Sequence, residues 1–278
     1  PAGRERWPAW RRRRMSALLE PESRMPHVTP VSPKAALITG GGRRIGRAIA
    51  LALAAAGYAV VLHANRSRAE AEKLAGDIAG QGGCAHVVAG DLADAAGVAG
   101  IVPAAAAFGP LSLLVNCASV FEPDDIATLT RTRFERTMAV NLAAPLFLAQ
   151  GFAAQAPAGA SIVNVLDQRV LKPTPLFLSY TLSKSALHVA TTTLAQALAP
   201  RIRVNAVAPG PTLPSPRQSE AEFAAQAATL PLVRGPKPED IAAAVVYLAG
   251  AASVTGVTIP VDGGQHVAWR TPDSDVAE

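Results

Sequence analysis

Short apolar runs recur along residues 34–265 and are separated by longer stretches with the apolar periodicity of helices. Within the runs, apolar and polar residues do not alternate, which is typical of strands buried on both faces of a sheet. The runs predict seven strands: Ala35–Thr39, Tyr58–His63, Ala85–Ala89, Leu111–Asn116, Ser161–Leu166, Arg203–Ala208 and Val257–Val261.

The stretches between these strands predict helices at Ile45–Ala56, Ala69–Ala79, Arg133–Gln155, Leu178–Leu198 and Pro238–Leu248. Strands that alternate with helices pair in parallel, because a helical crossover returns the chain to the same edge of the sheet. We therefore predict an α/β fold, a Rossmann-like doubly wound parallel sheet, in a single domain over residues 34–270.

Residues 210–231 depart from this pattern, with Pro211, Pro214 and Pro216 close together after a predicted strand. In open α/β sheets, ligands bind beyond the carboxyl ends of the strands. We therefore predict a flap over the ligand site at 210–231, containing a short Ala-rich helix around Glu220–Ala228.

The composition limits the class of protein. The chain has 278 residues, half of them hydrophobic, which is enough for one large domain. The two cysteines, Cys84 and Cys117, and the five histidines show no metal-ligand spacing, so we expect no metal and a reducing, cytoplasmic location. Uninterrupted apolar runs stay short of the ~18 residues of a membrane span, and we predict no membrane partner.

The net charge of +5 is concentrated at one end of the chain. Residues 1–33 contain seven arginines and three acidic residues, whereas residues 34–278 contain 19 basic and 18 acidic residues. We interpret 1–33 as a disordered basic leader and 271–278 as a polar tail, and we predict no nucleic-acid partner. A binding arm for nucleic acid or membrane and a cleaved transit peptide remain alternatives for the leader.

A glycine-rich turn follows the first predicted strand and opens a predicted helix, in the order Thr39-Gly40-Gly41-Gly42-Arg43-Arg44-Ile45-Gly46. Glycines let the backbone approach a pyrophosphate closely, and the N–H groups at a helix N-terminus attract it. This context predicts a dinucleotide site. The alternative is a tight turn that binds no ligand.

The end of the second predicted strand indicates which dinucleotide is bound. An NAD-binding sheet usually has Asp or Glu there for the ribose hydroxyl, but this chain has Asn65-Arg66-Ser67. Arg66, together with Arg43 in the turn, offers positive charge and paired donors for a 2′-phosphate. We therefore predict NADP(H) as the cofactor.

Candidate proton-transfer residues lie on and before a predicted helix. Tyr180 and Lys184 are one helical turn apart on the same face, and a nearby ammonium favours the phenolate form of tyrosine. Asp167 precedes Tyr180 by 13 residues, and we predict that its carboxylate orients Tyr180. The alternative for Asp167 is a cap or turn residue.

These residues together resemble the short-chain dehydrogenase/reductase family over residues 34–265. The resemblance implies that Tyr180 donates the proton, that Lys184 binds the nicotinamide ribose and lowers the pKa of Tyr180, and that Asn141 holds a proton relay. The cofactor-binding residues that the turn, the second strand and the resemblance indicate are Gly40, Arg43, Arg44, Ile45, Gly46, Asn65, Arg66, Ser67, Asp91, Leu92, Asn116, Ala118, Lys184, Pro209 and Gly210.

Within that family the chain most resembles the pteridine reductases. The features that carry this are the second arginine of the turn, the Asn-Arg-Ser at 65–67, the Ala-Ser-Val-Phe at 118–121, and Asp167 where most relatives carry Ser. The resemblance implies substrate contacts by Arg44, Ser119, Phe121, Asp167 and Tyr180, with Phe121 stacking on a flat ring. For Phe121 alone, ordinary core packing is an equal alternative.

We predict an NADPH-dependent oxidoreductase that reduces a pterin or dihydrofolate-like heterocycle, with Tyr180 as the proton donor. One alternative is a short-chain carbonyl reductase acting on a ketone or 3-oxoacyl substrate, and another is a non-catalytic NADP-binding protein on the same fold. The family resemblance also implies a homotetramer that pairs the long helices Arg133–Gln155 and Leu178–Leu198.

Overall fold

The computed structural model describes residues 34–270, so the predicted leader at 1–33 and tail at 271–278 lie outside the described residues. Seven strands form one sheet in the order β3-β2-β1-β4-β5-β6-β7, and every neighbouring pair is parallel. The strands are β1 Ala35–Thr39, β2 Ala59–Ala64, β3 Ala85–Ala89, β4 Leu111–Asn116, β5 Ala160–Val165, β6 Ile202–Pro209 and β7 Thr258–Val261. This confirms the predicted doubly wound sheet, with no strand end shifted by more than one residue.

Eight α-helices connect the strands of the described chain: α1 Arg44–Ala55, α2 Arg68–Gly80, α3 Ala95–Ala106, α4 Arg131–Met138, α5 Ala144–Gln155, α6 Leu178–Leu198, α7 Glu220–Ala228 and α8 Pro238–Gly250. Short 3₁₀ turns lie at Gln168–Val170 and Gln265–Val267. The predicted helices at 45–56, 69–79, 178–198, 220–228 and 238–248 are confirmed with small changes at their ends.

Helix α3 has no counterpart among the sequence predictions. It contains Gly97, Gly100 and Pro103, which all weaken the helical signal of a sequence. The side chain of Asp94 starts the helix by accepting a hydrogen bond from the N–H of Gly97 at 2.9 Å. Buried Ile101 and Val102 then anchor the helix on the sheet.

The predicted single helix over 133–155 is wrong in one respect. A π-helical turn at Ala139–Ala143 interrupts it between α4 and α5. Pro145 lies in the first turn of α5 and has no N–H, so it cannot donate to the carbonyl four residues earlier and the regular hydrogen-bond ladder is broken there. The irregular turn carries Asn141, a predicted site residue.

Most of the core forms two apolar layers, one on each face of the sheet, and a smaller third cluster contains Leu166 and Leu187. In β1, Ala35 and Leu37 belong to one layer, and Ala36 and Ile38 to the other. All four side chains are fully buried. A strand buried on both faces needs apolar residues at every position, which explains the unalternated runs of the sequence.

The segment Arg131–Gln155 is long and apolar enough to cross a membrane by length and composition. Its buried residues Leu148 and Phe152 pack in the core layer beside β4 and α3. Core helices of layered domains have the same composition, so the place of this segment in the fold accounts for its apolar character.

Candidate active site

The predicted site residues meet at the carboxyl ends of the central strands. Thr39, at the end of β1, accepts hydrogen bonds through its hydroxyl oxygen from the N–H groups of Cys117 at 2.9 Å and Ala118 at 3.0 Å. These contacts join the glycine-rich turn to the loop that follows β4. The chain order reverses between β1 and β4, and this is where open α/β sheets bind dinucleotides.

The glycine-rich turn has a backbone that larger residues would disrupt. Gly40 has φ = 65°, in the left-handed region, and a Cβ at Gly46 would collide with the carbonyl oxygen of Gly40. Helix α1 begins directly afterwards, with no acidic residue in its first turn and no side chain capping it. Its first N–H groups are therefore available to an anion.

Positively charged residues lie at the corner between β1 and β2. Arg43 precedes α1 and Arg66 follows β2, and both side chains are exposed. His63 is buried at the end of β2, where its Nδ1 accepts from the N–H of Gly40 at 3.5 Å and its Nε2 donates to the carbonyl of Gly90 at 3.1 Å. Burial lowers the pKa of His63, and the neutral ring suits these two contacts.

The other predicted cofactor residues lie around the same edge. Asp91 accepts from the N–H of Ala93 at 2.9 Å, Leu92 is buried beside it, and Gly210 donates its N–H to Val261 at 3.0 Å after Pro209 ends β6. The side chain of Asn116 instead turns into the sheet and donates to Asn164 at 2.9 Å. That amide group serves the pairing of β4 with β5, and the cofactor contact of Asn116 stays a prediction.

Three predicted catalytic residues lie together at the start of α6. The hydroxyl of Tyr180 donates to Oδ2 of Asp167 at 3.0 Å. Tyr180 is 6% exposed and Lys184 is 2% exposed, so both side chains are shielded from water. Asp167 also caps the 3₁₀ turn by accepting from the N–H of Arg169 at 2.9 Å. The Asp167 carboxylate therefore caps a turn, which was the alternative for this residue, and also binds the Tyr180 hydroxyl as predicted.

Lys184 makes no direct hydrogen bond to Tyr180 in the described structure, and its role towards Tyr180 stays a prediction. Its Nζ donates to the carbonyl of Val165 at 2.7 Å and lies 5.8 Å from the centre of the Tyr180 ring. Burial lowers the pKa of Lys184 to about 8, although Cys117 and Asp167 oppose the change.

The pKa of Tyr180 lies well above its ordinary value. Burial is the main cause, and the charge of Asp167 and the hydrogen bond to it add to the increase, whereas Arg169 opposes it. The prediction of a phenol that ionises nearer neutral pH is therefore wrong for this arrangement. Tyr180 stays protonated and can donate a proton.

Asn141 holds the loop that carries two predicted substrate residues. It is fully buried, accepts from the N–H of Val120 at 2.8 Å and donates to the carbonyl of Val120 at 2.9 Å. It also accepts from the hydroxyl of Ser119 at 3.2 Å and donates to Ser183 at 3.1 Å. The irregular π turn thus fixes Ser119 and Phe121 against α6, while a relay role for Asn141 stays a prediction.

Aromatic rings and arginines surround the ring of Phe121 beside Tyr180. Phe121 stacks on Phe177 with ring centres 4.3 Å apart and meets Tyr180 edge-on at 4.7 Å. Arg169 lies 5.5 Å from the Phe121 centre, and Arg217, from the flap, lies 5.6 Å from it. Phe121 therefore belongs to an aromatic cluster at the site and not to the apolar core.

The predicted flap contacts the site through arginine side chains. Arg44 donates to the carbonyls of Pro214 at 3.1 Å and Leu213 at 3.3 Å. Its backbone has φ = 51°, a region that non-glycine residues seldom occupy. The structure therefore directs the Arg44 side chain towards the flap, and its contacts with cofactor and substrate stay predictions.

Sequence reasoning missed Arg169, Phe177, Arg217 and His63. Arg169 is two residues beyond Asp167, a spacing that signals a turn contact only once Asp167 is known to cap that turn. Phe177 and Arg217 stand in segments without helical or strand periodicity, so nothing in the sequence placed them beside Phe121.

Known proteins confirm the family. Residues 41–266 match the family described as enoyl-(acyl carrier protein) reductase. The chain is 34% identical to a short-chain type dehydrogenase/reductase of Picea abies, over 84% of this chain and 96% of the relative. The chain belongs to the short-chain dehydrogenase/reductase family. It is an oxidoreductase of that family.

Other relatives share the same extent of similarity. An uncharacterized oxidoreductase of Mycobacterium tuberculosis is 38% identical over 83% of this chain and 91% of its own length. The chain is also similar to FolM alternative dihydrofolate reductase 1 from Brucella canis, whose crystal structure is complexed with NADP. The two sequences are 48% identical, and the structures match with a TM-score of 0.85. That match covers 89% of this chain and 98% of the Brucella chain. The predicted fold class is therefore confirmed.

Proposed function

We propose that this short-chain reductase uses NADPH to reduce a C=N bond in a pterin or dihydrofolate-like heterocycle, with Tyr180 as the proton donor. The observation that carries the proposal is the 3.0 Å hydrogen bond from the Tyr180 hydroxyl to Oδ2 of Asp167. It places a carboxylate, paired with Arg169, beside the group that gives the proton.

A carboxylate in this place disfavours the reduction of a ketone. Hydride addition to a carbonyl builds negative charge on oxygen, which a neutral donor stabilises and an ionised Asp167 repels. Hydride addition to a C=N bond places the new proton on nitrogen instead. The amino and N–H edge of a pterin can also donate to the carboxylate oxygens, so the same group binds this substrate.

The residues present fit NADP(H). The turn at Gly40 and Gly46 leaves space for a pyrophosphate at the start of α1, and no side chain competes for the N–H groups there. Exposed Arg43 and Arg66 would take the 2′-phosphate, and Lys184 the nicotinamide ribose. When bound, NADPH supplies the hydride.

The protein residues then have separate tasks. Tyr180 would give its hydroxyl proton to the ring nitrogen of the C=N bond that is reduced, and solvent would return a proton to Tyr180 afterwards. Phe121 offers a flat face to the heterocycle, and Asn141 fixes the loop that carries it. The flap at 210–231 closes the site. Arg44 donates a hydrogen bond to the flap, and Arg217 of the flap donates one to the carbonyl of Phe121.

Similarity to the Brucella alternative dihydrofolate reductase supports both the substrate class and the cofactor. The family description, enoyl-(acyl carrier protein) reductase, points instead to an acyl thioester as substrate. We favour the heterocycle because Asp167 lies within hydrogen-bond distance of Tyr180.

We also propose that the enzyme is a cytoplasmic homotetramer. Phe147 on α5 is 62% exposed and Val189 on α6 is also 62% exposed, so each long helix has an apolar side chain on its outward face. Such faces pair in obligate oligomers. The free thiols Cys84 and Cys117 suit a reducing compartment.

The test is NADPH oxidation with dihydrobiopterin, dihydromonapterin, dihydrofolate and a panel of ketones and 3-oxoacyl thioesters. The proposal expects turnover of at least one dihydropterin or dihydrofolate, with kcat/KM far above that of any ketone. Turnover confined to ketones or thioesters would establish the alternative.

A further inference from the structure

We propose that Arg169 is a positioning residue for proton transfer, which holds the Asp167 carboxylate and offsets its charge so that Tyr180 can release a proton beside it. This role rests on the proposed function of Tyr180 as proton donor. It adds a residue to the site that neither the motifs nor the predicted roles of Lys184 and Asn141 include.

Arg169 contacts Asp167 in several ways. Its backbone N–H donates to Oδ1 at 2.9 Å, and its Nη1 lies 3.3 Å from both carboxylate oxygens. The side chains of Arg169 and Asp167 are 21% and 16% exposed, so water screens the pair only weakly. The carboxylate is therefore fixed with Oδ2 towards the Tyr180 hydroxyl.

Aromatic rings fix the guanidinium on its other side. It lies 5.5 Å from the centre of Phe121 and 5.3 Å from that of Phe177. Its Nε is buried and has no hydrogen-bond partner within residues 34–270. Asp167 and the two rings are thus what hold this side chain in place.

Charge explains why a cation is needed here. When Tyr180 gives up its proton, a phenolate forms 3.0 Å from a carboxylate, and two like charges at that distance repel strongly in a buried site. Four charged or titratable groups face Tyr180: Asp167 and Arg169 from the 3₁₀ turn, Cys117 from the loop after β4, and Lys184 from α6 itself.

Arg169 is a cation that favours the phenolate and also pairs with Asp167. It opposes the increase that burial and Asp167 cause in the pKa of Tyr180. Lys184 is turned to the carbonyl of Val165, and the neutral thiol of Cys117 has a pKa raised to about 11 by burial. Arg169 thus supplies a positive charge beside Asp167 and Tyr180, in addition to the one that the sequence predicted from Lys184.

Arg217 offers a matched control. It lies over the same two rings, 5.6 Å from Phe121 and 5.9 Å from Phe177, but its hydrogen bonds go to the carbonyl of Phe121 and to Glu122. Arg169→Gln and Arg217→Gln therefore remove the same charge from the same ring pair. The first also removes the partner of Asp167.

The experiment is a double-mutant cycle on kcat with Arg169→Gln, Asp167→Asn and the double variant, beside Arg217→Gln. We expect Arg169→Gln to lower kcat about 10-fold, with a smaller change in KM, and to cost only about 3-fold in the Asp167→Asn background, where its charge still favours the phenolate but no carboxylate remains to be held. Arg217→Gln should cost the same in both backgrounds. Equal losses from Arg169→Gln in both backgrounds would overturn the proposal.

Arg169→Lys gives a second readout if Asp167→Asn has no measurable turnover. It keeps the charge, so it should restore most of the kcat that Arg169→Gln loses, while Lys and Gln at position 217 should give equal kcat values. No difference between Lys and Gln at position 169 would also overturn the proposal. Unfolding midpoints of each variant show whether a loss comes from misfolding.

The cycle is run on whichever substrate of the panel gives turnover. An enzyme that ignores pteridines but reduces a ketone would refute the proposed substrate class. The change in kcat caused by Arg169→Gln, with and without Asp167, would then still be measured on that ketone. The test of Arg169 and the test of the substrate class therefore remain separate.

Discussion

The two ends of the site are built in different ways. At the phosphate end, backbone geometry determines the shape: Gly40 has a positive φ, Gly46 has no room for a Cβ, and α1 begins without a capping side chain. At the reaction end, side chains from separate elements determine the shape, and Tyr180, Asp167 and Arg169 are connected by hydrogen bonds.

This difference separates binding from chemistry. A backbone cradle accepts any dinucleotide phosphate, because its N–H groups are the same in every sequence. The side chains at the reaction end carry charges that depend on their neighbours, and on the proposed function they would determine which bond is reduced. Substitutions at the two ends should therefore change different measured quantities.

Tyr180→Phe should have the largest effect. The variant keeps the ring that meets Phe121 edge-on but loses the hydroxyl that donates to Asp167. We expect kcat to fall about 10³-fold while NADPH affinity stays within about 2-fold, because loss of a positioned proton donor affects the chemical step alone. Steady-state kinetics and cofactor fluorescence titration measure both. An unchanged kcat would show that Tyr180 is not the proton donor and would remove the distinction between the two ends.

Lys184 should make the stability of the protein depend on pH. Its pKa of about 8 in the folded protein lies below the ordinary value of 10.5, so the folded state binds fewer protons than the unfolded state between these values. The free energy of unfolding should therefore rise with pH across this window, by about 3 kcal/mol relative to Lys184→Met. Urea unfolding of both proteins at pH 7 and at the upper end of the window measures the difference. If the free energies of unfolding of the two proteins changed with pH in parallel, burial would not lower the pKa of Lys184.

Gly46→Ala should damage the phosphate end without changing the proton donor. The new Cβ would meet the carbonyl oxygen of Gly40, so the turn must move. We expect a loss of about 2 kcal/mol in stability or cofactor binding, read by thermal unfolding and by the Kd of NADPH. Gly76→Ala on α2 is the control, since its Cβ meets no atom within 4 Å, and it should be neutral or slightly stabilising.

Arg66→Ala should have the smallest effect. Loss of one charge-assisted contact to the 2′-phosphate should reduce the preference for NADPH over NADH about 10-fold, measured as the ratio of kcat/KM values. Arg68→Ala, two residues further and paired with Glu72 at 2.7 Å, should leave the ratio unchanged. Equal ratios in both variants would mean that Arg66 does not read the phosphate.

The same difference explains how much could be predicted from the sequence. Apolar runs placed all seven strands, because a buried parallel strand needs apolar residues at each position. The glycine-rich turn could be predicted because its backbone locally requires glycines. Helix α3 was missed because Gly97, Gly100 and Pro103 weaken its helical pattern.

The reaction end was only partly predictable. Their spacing in the sequence predicted that Asp167 and Tyr180 act together. In the structure the Tyr180 hydroxyl lies 3.0 Å from Oδ2 of Asp167. Arg169, Arg217 and Phe177 come from a short turn and two irregular segments, where side-chain direction depends on tertiary packing. The charge balance at Tyr180 therefore required the structure, and it reversed the expected direction of the Tyr180 pKa.

The central claim is that the carboxylate of Asp167 fits the site for a C=N bond. The most direct measurement compares wild type with Asp167→Ser on a dihydropteridine and on a ketone, using NADPH oxidation. The account predicts that pteridine turnover falls about 100-fold while ketone turnover is kept or raised. Undiminished pteridine turnover in Asp167→Ser would contradict it, because the carboxylate beside Tyr180 would then have no part in the choice of substrate.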